Sequence, residues 1–195
     1  PAILMLAHTD LKPGARFMFE GRPCQVLTSK HSYKAQGTAT VLTKLKDLLT
    51  GAISEQNFRQ GDTFQEAEIV RQKVRFLFSH REQFTFIRID NPSQRFSFNA
   101  EQLGESTKYL VSNTEVIGIE FEGQIVNIEL PIKIRLKMKD APPGIRGDRA
   151  QGGTKTAILE TNAEIQVPLF VNTGDIIEVN TETGEYVERV EKAKE

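Results

Sequence analysis

Residues 29–51 read SKHSYKAQGTATVLTKLKDLLTG, and the way this stretch folds decides the rest of the chain. Its centre, Tyr33-Lys34-Ala35-Gln36-Gly37, is small and polar and ends in glycine. Alternating runs flank it, with Cys24, Val26 and Thr28 before and Ala39, Val41, Thr43 and Leu45 after. Alternation at period two puts one residue set on a buried face and the other in water. A short glycine-containing polar segment between two such runs marks a β-hairpin tip. Lys30, Lys34, Lys44 and Lys46 lie along the hairpin, and no acid occurs between Arg22 and Lys46. Two readings fit this pattern: a basic arm that carries its tip to a distant target, or a solvated hairpin with a lysine-rich outer face.

Working outward, the 195 residues allow one domain or several small ones. The net charge of −1 hides an uneven distribution. Seven Lys/Arg stand against one acid, Glu20, from Leu11 to Lys46, and six against two from Arg135 to Lys155. From Thr156 to Glu195 the balance reverses, three against nine. Two separated basic stretches suggest two contacts with polyanions, and the acidic C-terminal part suggests a face turned away from them. No run is apolar enough to span a bilayer, and Pro1 to Leu6 is too short and uncharged for a signal peptide. The single cysteine, Cys24, makes no intramolecular disulfide. A cytoplasmic location without membrane association is therefore expected.

The chain in order predicts three all-β blocks, 1–67, 68–133 and 134–195. In the first, Arg16 to Glu20 is a strand, Gly21-Arg22 a turn, Pro23 to Ser32 a strand into the arm, and Ile53 to Phe58 a strand before a turn at Arg59 to Thr63. Short strands with Gly-rich turns and no 3.6-residue apolar period mean a small barrel. In the second, Val74 to Phe78 and Phe84 to Ile89 are strands around a turn at Ser79 to Gln83. Asn99 to Gly104 is a single helical turn, and Glu115 to Phe121 pairs with Gln124 to Leu130 across Glu122-Gly123. Phe76, Phe78, Phe84 and Phe86 fall at period two and are expected in the core rather than as a base-stacking platform. In the third, Ile134, Leu136 and Met138 alternate with Lys133, Arg135, Lys137 and Lys139 as a half-buried strand with a basic outer face. A Pro- and Gly-rich loop, Ala141 to Gly153, follows, and then strands at Thr156 to Glu160, Glu164 to Val167, Asp175 to Asn180 and Glu185 to Val190. The strand counts of the second and third blocks are those of OB-folds.

Nothing in the chain speaks for an enzyme. His8, His31 and His80 have no metal-ligand spacing, and Cys24 has no Cys or His near it at zinc-site spacing. No phosphate-binding Gly-rich run or nucleophile elbow occurs. Asp148 has no obvious partner for acid–base work. No metal and no cofactor are expected. A basic arm and a second basic loop on all-β blocks fit RNA binding, in which phosphate contacts supply affinity.

The stretch Lys44-Leu45-Lys46-Asp47-Leu48-Leu49-Thr50-Gly51 resembles the KLRxLLTG run that follows the tip loop in bacterial translation elongation factor P. Asp10 to Gly14, with Phe19-Glu20-Gly21 and Pro23, is similar to that family's first hairpin. Ala141-Pro142-Pro143-Gly144-Ile145-Arg146-Gly147-Asp148 is similar to its APPGIKGDT segment, and Lys155 to Gly174, with Val167-Pro168-Leu169-Phe170-Val171, to its C-terminal signature. The matches keep family order over nearly the whole chain. The resemblance implies three small barrels in tandem, an SH3-like (KOW-type) first domain followed by two OB-fold domains. It also implies a monomeric factor that binds ribosomal RNA beside the peptidyl-tRNA and promotes peptide-bond formation at consecutive prolines. The loop Tyr33, Lys34, Ala35, Gln36, Gly37 would lie near the peptidyl-transferase centre, Lys30, Lys44, Lys46, Arg146 and Arg149 would meet RNA, and Gly147 and Asp148 would belong to the third-domain contact loop. The alternatives are an elongation-factor-P-like paralogue that binds ribosomes or RNA without polyproline specificity, and an enzyme with a loop active site.

The sequence departs from the family at the tip. Many members carry there a lysine in a PGKG run, enlarged by enzymatic modification, and others a modified arginine. Counting back without gaps from Lys44-Leu45-Lys46 puts the tip on Gln36, followed by Gly37, and Lys34 two residues earlier is the alternative tip and modification site. Two residues along a strand is a shift of roughly 7 Å. In the third domain the family's Gly-Asp-Thr becomes Gly147-Asp148-Arg149, which puts that loop's inferred RNA contact in question. In the C-terminal signature a glycine becomes Asn162, a residue that also tolerates positive φ.

Overall fold

The computed structural model describes residues 4–33, 37–144 and 153–194. The fold is all-β. Among the described residues, sixteen strands accompany one four-residue helix and two short 3-10 turns. The chain divides into two compact units, one of Pro1–Lys73, Glu101–Leu103 and Gly118–Ile128, the other of Val74–Ala100, Gly104–Ile117 and Glu129–Glu195.

The N-terminal strands are β1 (Met5–Ala7), β2 (Arg16–Phe19), β3 (Arg22–Ser32), β4 (Thr40–Asp47), β5 (Ile53–Arg59) and β6 (Thr63–Gln65). They form a four-stranded sheet, β2-β3-β4-β5, and a two-stranded ribbon, β1-β6. Leu11, Phe17, Cys24, Val26, Val41, Leu45 and Phe58 make the core they enclose. Phe17 is its centre, with ring centroids of Phe58 and Phe64 at 5.9 and 4.8 Å. The β2–β3 turn is Glu20-Gly21, one residue earlier than the sequence suggests, because Arg22 already pairs with Phe19. Both turn residues have positive φ, 49° and 76°, as the twist of a two-residue hairpin demands.

The middle strands are β7 (Ile69–His80), β8 (Gln83–Arg88), β9 (Arg95–Asn99), β10 (Glu115–Phe121) and β11 (Gln124–Glu129), in the order β11-β10-β7-β8-β9. Helix α1 (Ala100–Leu103) is the expected single turn, and Gly104 follows it at φ 53°. Glu122-Gly123 turns β10 into β11, as the sequence indicates. The β7–β8 turn is only Arg81-Glu82, both at positive φ, so the two strands run further toward it than expected.

The C-terminal strands are β12 (Lys133–Asp140), β13 (Thr154–Leu159), β14 (Glu164–Pro168), β15 (Ile176–Asn180) and β16 (Tyr186–Glu191), ordered β14-β13-β12-β15-β16. Ile134, Leu136 and Met138 are buried while the basic residues between them are exposed, which is the alternation expected of β12. Asn162 sits at φ 68° in the β13–β14 turn, so the departure from glycine keeps the turn.

Candidate nucleic-acid interface

The arm is the β3–β4 hairpin, braced by β5. Val41, Thr43 and Leu45 face the core, and the Thr43 hydroxyl donates to the Gln56 carbonyl at 3.0 Å, so its burial leaves no polar atom unpaired. On β3 the alternation does not hold to the end. Val26 pairs with Leu45 but Thr28 pairs with Lys44, which leaves Leu27 as a bulge. The extra residue exchanges the faces beyond it. Thr28 therefore joins the outer face instead of continuing the buried set of Cys24 and Val26, and Ser29 and His31 lie opposite Thr43 and Val41.

The same bulge puts Lys30 on the outer face, opposite Leu42, in line with Lys44 and Lys46 of β4. Lys30 and Lys44 are exposed and Lys46 is half-buried. Leu42, between Lys30 and Asn57, is 46% exposed, an apolar residue set in the basic row. Glu55 of β5 stands opposite Lys44, with Oε1 3.9 Å from Nζ. Both side chains are largely in water, where such a pair contributes little, so Lys44 stays available to a stronger anion. Composition within residues 29–51 gives no sign of Glu55, because it comes from the next strand.

Toward the tip the arm emerges from the core: residues 30–33 are all exposed, Tyr33 at 78%, and Gly37 is exposed on the returning side. Lys34, Ala35 and Gln36 lie outside the described residues. At the base, Asp47 holds the turn that the KLKDLLTG run makes. Its Oδ1 accepts from the Leu49 and Thr50 amides at 2.8 and 3.1 Å, and its Oδ2 accepts from Arg22 at 3.0 Å. Partial burial pushes the Asp47 carboxyl up, but these hydrogen bonds, from Arg22 first and then Thr50 and Leu49, outweigh it and hold the group below its ordinary value. Gly51 closes the turn at φ 76°, and a Cβ there would lie 3.2 Å from the Gln102 carbonyl oxygen. The motif is thus a backbone anchor for the arm as well as a source of lysines.

In the third sheet the proline- and glycine-rich loop leaves from β12 and returns to β13. Arg146, Gly147, Asp148 and Arg149 lie outside the described residues. A Cβ on Gly144 would meet Leu169 at 3.0 Å and one on Gly153 would meet it at 3.4 Å, so both stems press on one side chain. Thr173 Oγ1 accepts from the Ala141 amide at 2.9 Å, and Lys155 Nζ donates to the Pro142 carbonyl at 2.6 Å. Lys155 therefore braces the stem.

The four phenylalanines expected in the core divide. Phe76 and Phe86 are buried and Phe84 is half-buried. Phe78 is 49% exposed, because a bulge at Leu77 shifts it to pair with Thr85. Cys24 is buried, and burial first, then the Asp47 charge, pushes its thiol up to about 11, which removes it as a nucleophile. Among the described residues no cluster of His, Cys, Asp or Glu is arranged to hold a metal, and no helix is long and apolar enough to cross a membrane.

Sequence reasoning missed three contributors: Asp47 as the arm's anchor, Glu55 as its counter-charge, and the group formed by Phe170, Asp175 and Arg189 in the third sheet. The first had a signal, an Asp shortly before a Gly, which favours a side-chain-capped turn. The other two depend on strand register.

Two family models match the sequence of this chain. The one described as the elongation factor P KOW-like domain covers residues 7–64, and the one described as elongation factor P, C-terminal, covers residues 134–189. Elongation factor P of Moorella thermoacetica is 38% identical over 95% of this chain and the whole of the relative. Elongation factor P of a Synechococcus strain is 39% identical over the same shares. A solved structure of a translation initiation factor 5A from Methanococcus jannaschii superposes with a TM-score of 0.50 at 18% identity, covering 66% of this chain and 96% of that one, a likeness of fold.

Proposed function

The chain belongs to the elongation factor P family of translation factors, and from that premise we propose that it binds the ribosome beside the peptidyl-tRNA and promotes peptide-bond formation at consecutive prolines. The observation that supports this best is the arm: Lys30, Lys44 and Lys46 share its outer face, and the strands emerge from the core toward an exposed tip. A row of cations on a rigid ribbon follows a phosphate backbone, and the tip then reaches the reacting end of the tRNA. The ribosome performs the chemistry. Proline is a constrained substrate because its ring fixes φ. Holding the tRNA end in reactive geometry removes part of the entropic barrier to its reaction, so the chain itself needs no catalytic group, metal or cofactor.

We assign the tip to Gln36, acting through neutral amide hydrogen bonds, with Lys34 as the alternative tip and the residue open to modification. The third-domain loop with Arg146, Gly147, Asp148 and Arg149 supplies a second RNA contact. The protein acts as a monomer in the cytoplasm, built of an SH3-like domain (1–67) and two OB-fold domains (68–133 and 134–195).

The arm's role is tested by co-sedimentation with ribosomes at a series of salt concentrations. Replacing Lys44 and Lys46 by Gln is expected to weaken binding and to flatten the salt dependence by about 0.7–0.9 log units for each phosphate that is no longer neutralised. An unchanged slope would place both lysines on a face that meets only solvent.

A further inference from the structure

Beyond the third-domain loop, the same sheet carries a recess of about 460 Å³ lined by Phe170, Asn172, Asp175, Arg189, Lys192, Ala193 and Lys194. Its construction is ordered from the inside. Asp175 is buried and accepts the Asn172 amide at 2.9 Å, the Ala193 amide at 2.8 Å and Arg189 at 3.3 Å. The Asp175 carboxylate is thereby neutralised within the fold. Arg189 also donates to the Phe170 carbonyl at 3.0 Å, and its guanidinium carbon lies 4.9 Å from the centroid of the Phe170 ring. Phe170 nevertheless remains 55% exposed. Beyond the end of β16, the bond from the Ala193 amide to Asp175 fixes the backbone between Lys192 and Lys194, and both lysine side chains are exposed. Neither ammonium has a carboxylate partner among the described residues. Glu191 stands opposite Ile176 within the sheet.

We propose that this recess is an RNA-binding subsite, in which Lys192 and Lys194 hold backbone phosphates and the exposed face of Phe170, steadied by Arg189, stacks on a nucleobase. Paired cations beside an exposed aromatic face are what a flexible single-stranded or looped RNA requires, since every base offers a π-face and every nucleotide a charge. An acidic peptide would use the lysines but leave the ring without a partner. The position supports the same partner. Leu169, the side chain on which both stems of the third-domain loop rest, directly precedes Phe170 in the chain, so the recess begins one residue from that loop's support. The cations also lie within the part of the chain whose composition is acidic overall, which is why charge counting over Thr156 to Glu195 conceals them.

The inference rests on the ribosome-binding reading, and the two fail differently. Wild type, Lys192→Gln/Lys194→Gln and Phe170→Leu are compared by ribosome co-sedimentation across salt and by fluorescence titration of a short single-stranded RNA and of polyglutamate. The double lysine variant is expected to lose roughly 1.4 log units of salt slope, the equivalent of two single-strand phosphates. Phe170→Leu should lower RNA affinity about fivefold or more with the slope kept, because stacking is lost and no charge is. Wild type should prefer RNA to polyglutamate. Ribosome binding by wild type with both variants unchanged would overturn the subsite and leave the ribosome reading intact. Equal affinity for polyglutamate and RNA would also overturn it, in favour of an acidic-peptide site. Absence of ribosome binding by wild type would overturn both.

Discussion

Phe17→Ala is expected to cost the N-terminal fold about 3–5 kcal/mol, the range for removing a fully enclosed aromatic ring. Phe17 is completely buried, and its ring meets Phe19 edge-on at 6.4 Å as well as Phe58 and Phe64. Phe58 and Phe64 also touch each other at 4.7 Å, so neither can close the void without leaving the other. Hydrogen exchange at the β3 and β4 amides should report the loss directly, as lower protection in strands that carry no substitution. Because these strands form the arm, rescue of stalled translation should fall with them. Protection in β3 and β4 equal to wild type would mean that the arm does not depend on this core.

The second large effect is expected at Asp175→Asn, about 3 kcal/mol in the C-terminal sheet. An amide can replace one oxygen acceptor, but its NH2 then faces a donor, either a backbone amide or Arg189, which leaves buried groups unpaired. The same carboxylate gives the sheet an acid-sensitive component. Burial pushes the Asp175 carboxyl up, yet the Asn172 and Ala193 amides and Arg189 outweigh burial and hold it below its ordinary value of 3.8. A group with a depressed folded pKa contributes its stability above the unfolded value and loses it as pH falls through the folded one. Wild type should therefore lose protection in β12, β15 and β16 as pH falls below about 4. The Asn variant should lack this component, and the difference between the two should shrink in acid. A constant difference across that range would show that the Asp175 charge is not what ties Arg189 and the Ala193 amide.

These two sites mark what the sequence conveyed and what it did not. Alternation is local, so β4 and β12 were legible, the Glu122-Gly123 turn was legible from its glycine, and so was the tolerance of Asn162 for its turn. The tip stretch and the KLKDLLTG run pointed to the arm and to the family. Three kinds of feature were not legible. The strands β1 and β6 are three residues each, too short for a period, and exist because each supplies the other's hydrogen-bond partners. The bulges at Leu27 and Leu77 obey no composition rule, and each exchanges the faces of everything beyond it, which moved Thr28 outward, aligned Lys30 with Lys44, and exposed Phe78. Pairing between distant residues, as in Lys44 with Glu55 or Asp175 with Arg189, emerges only once register is known. Charge counting consequently overstated the isolation of the arm's lysines and missed the cations at the C-terminal recess.

The proposed role of the exposed, lysine-lined arm is to serve peptide-bond formation at consecutive prolines. It is tested most directly by a reconstituted translation system reading one message with a run of prolines and a matched message without it, with and without the protein purified from its own cells. Added protein is expected to raise full-length yield on the proline message and to leave the control unchanged. Equal yields on the proline message with and without the protein would contradict it.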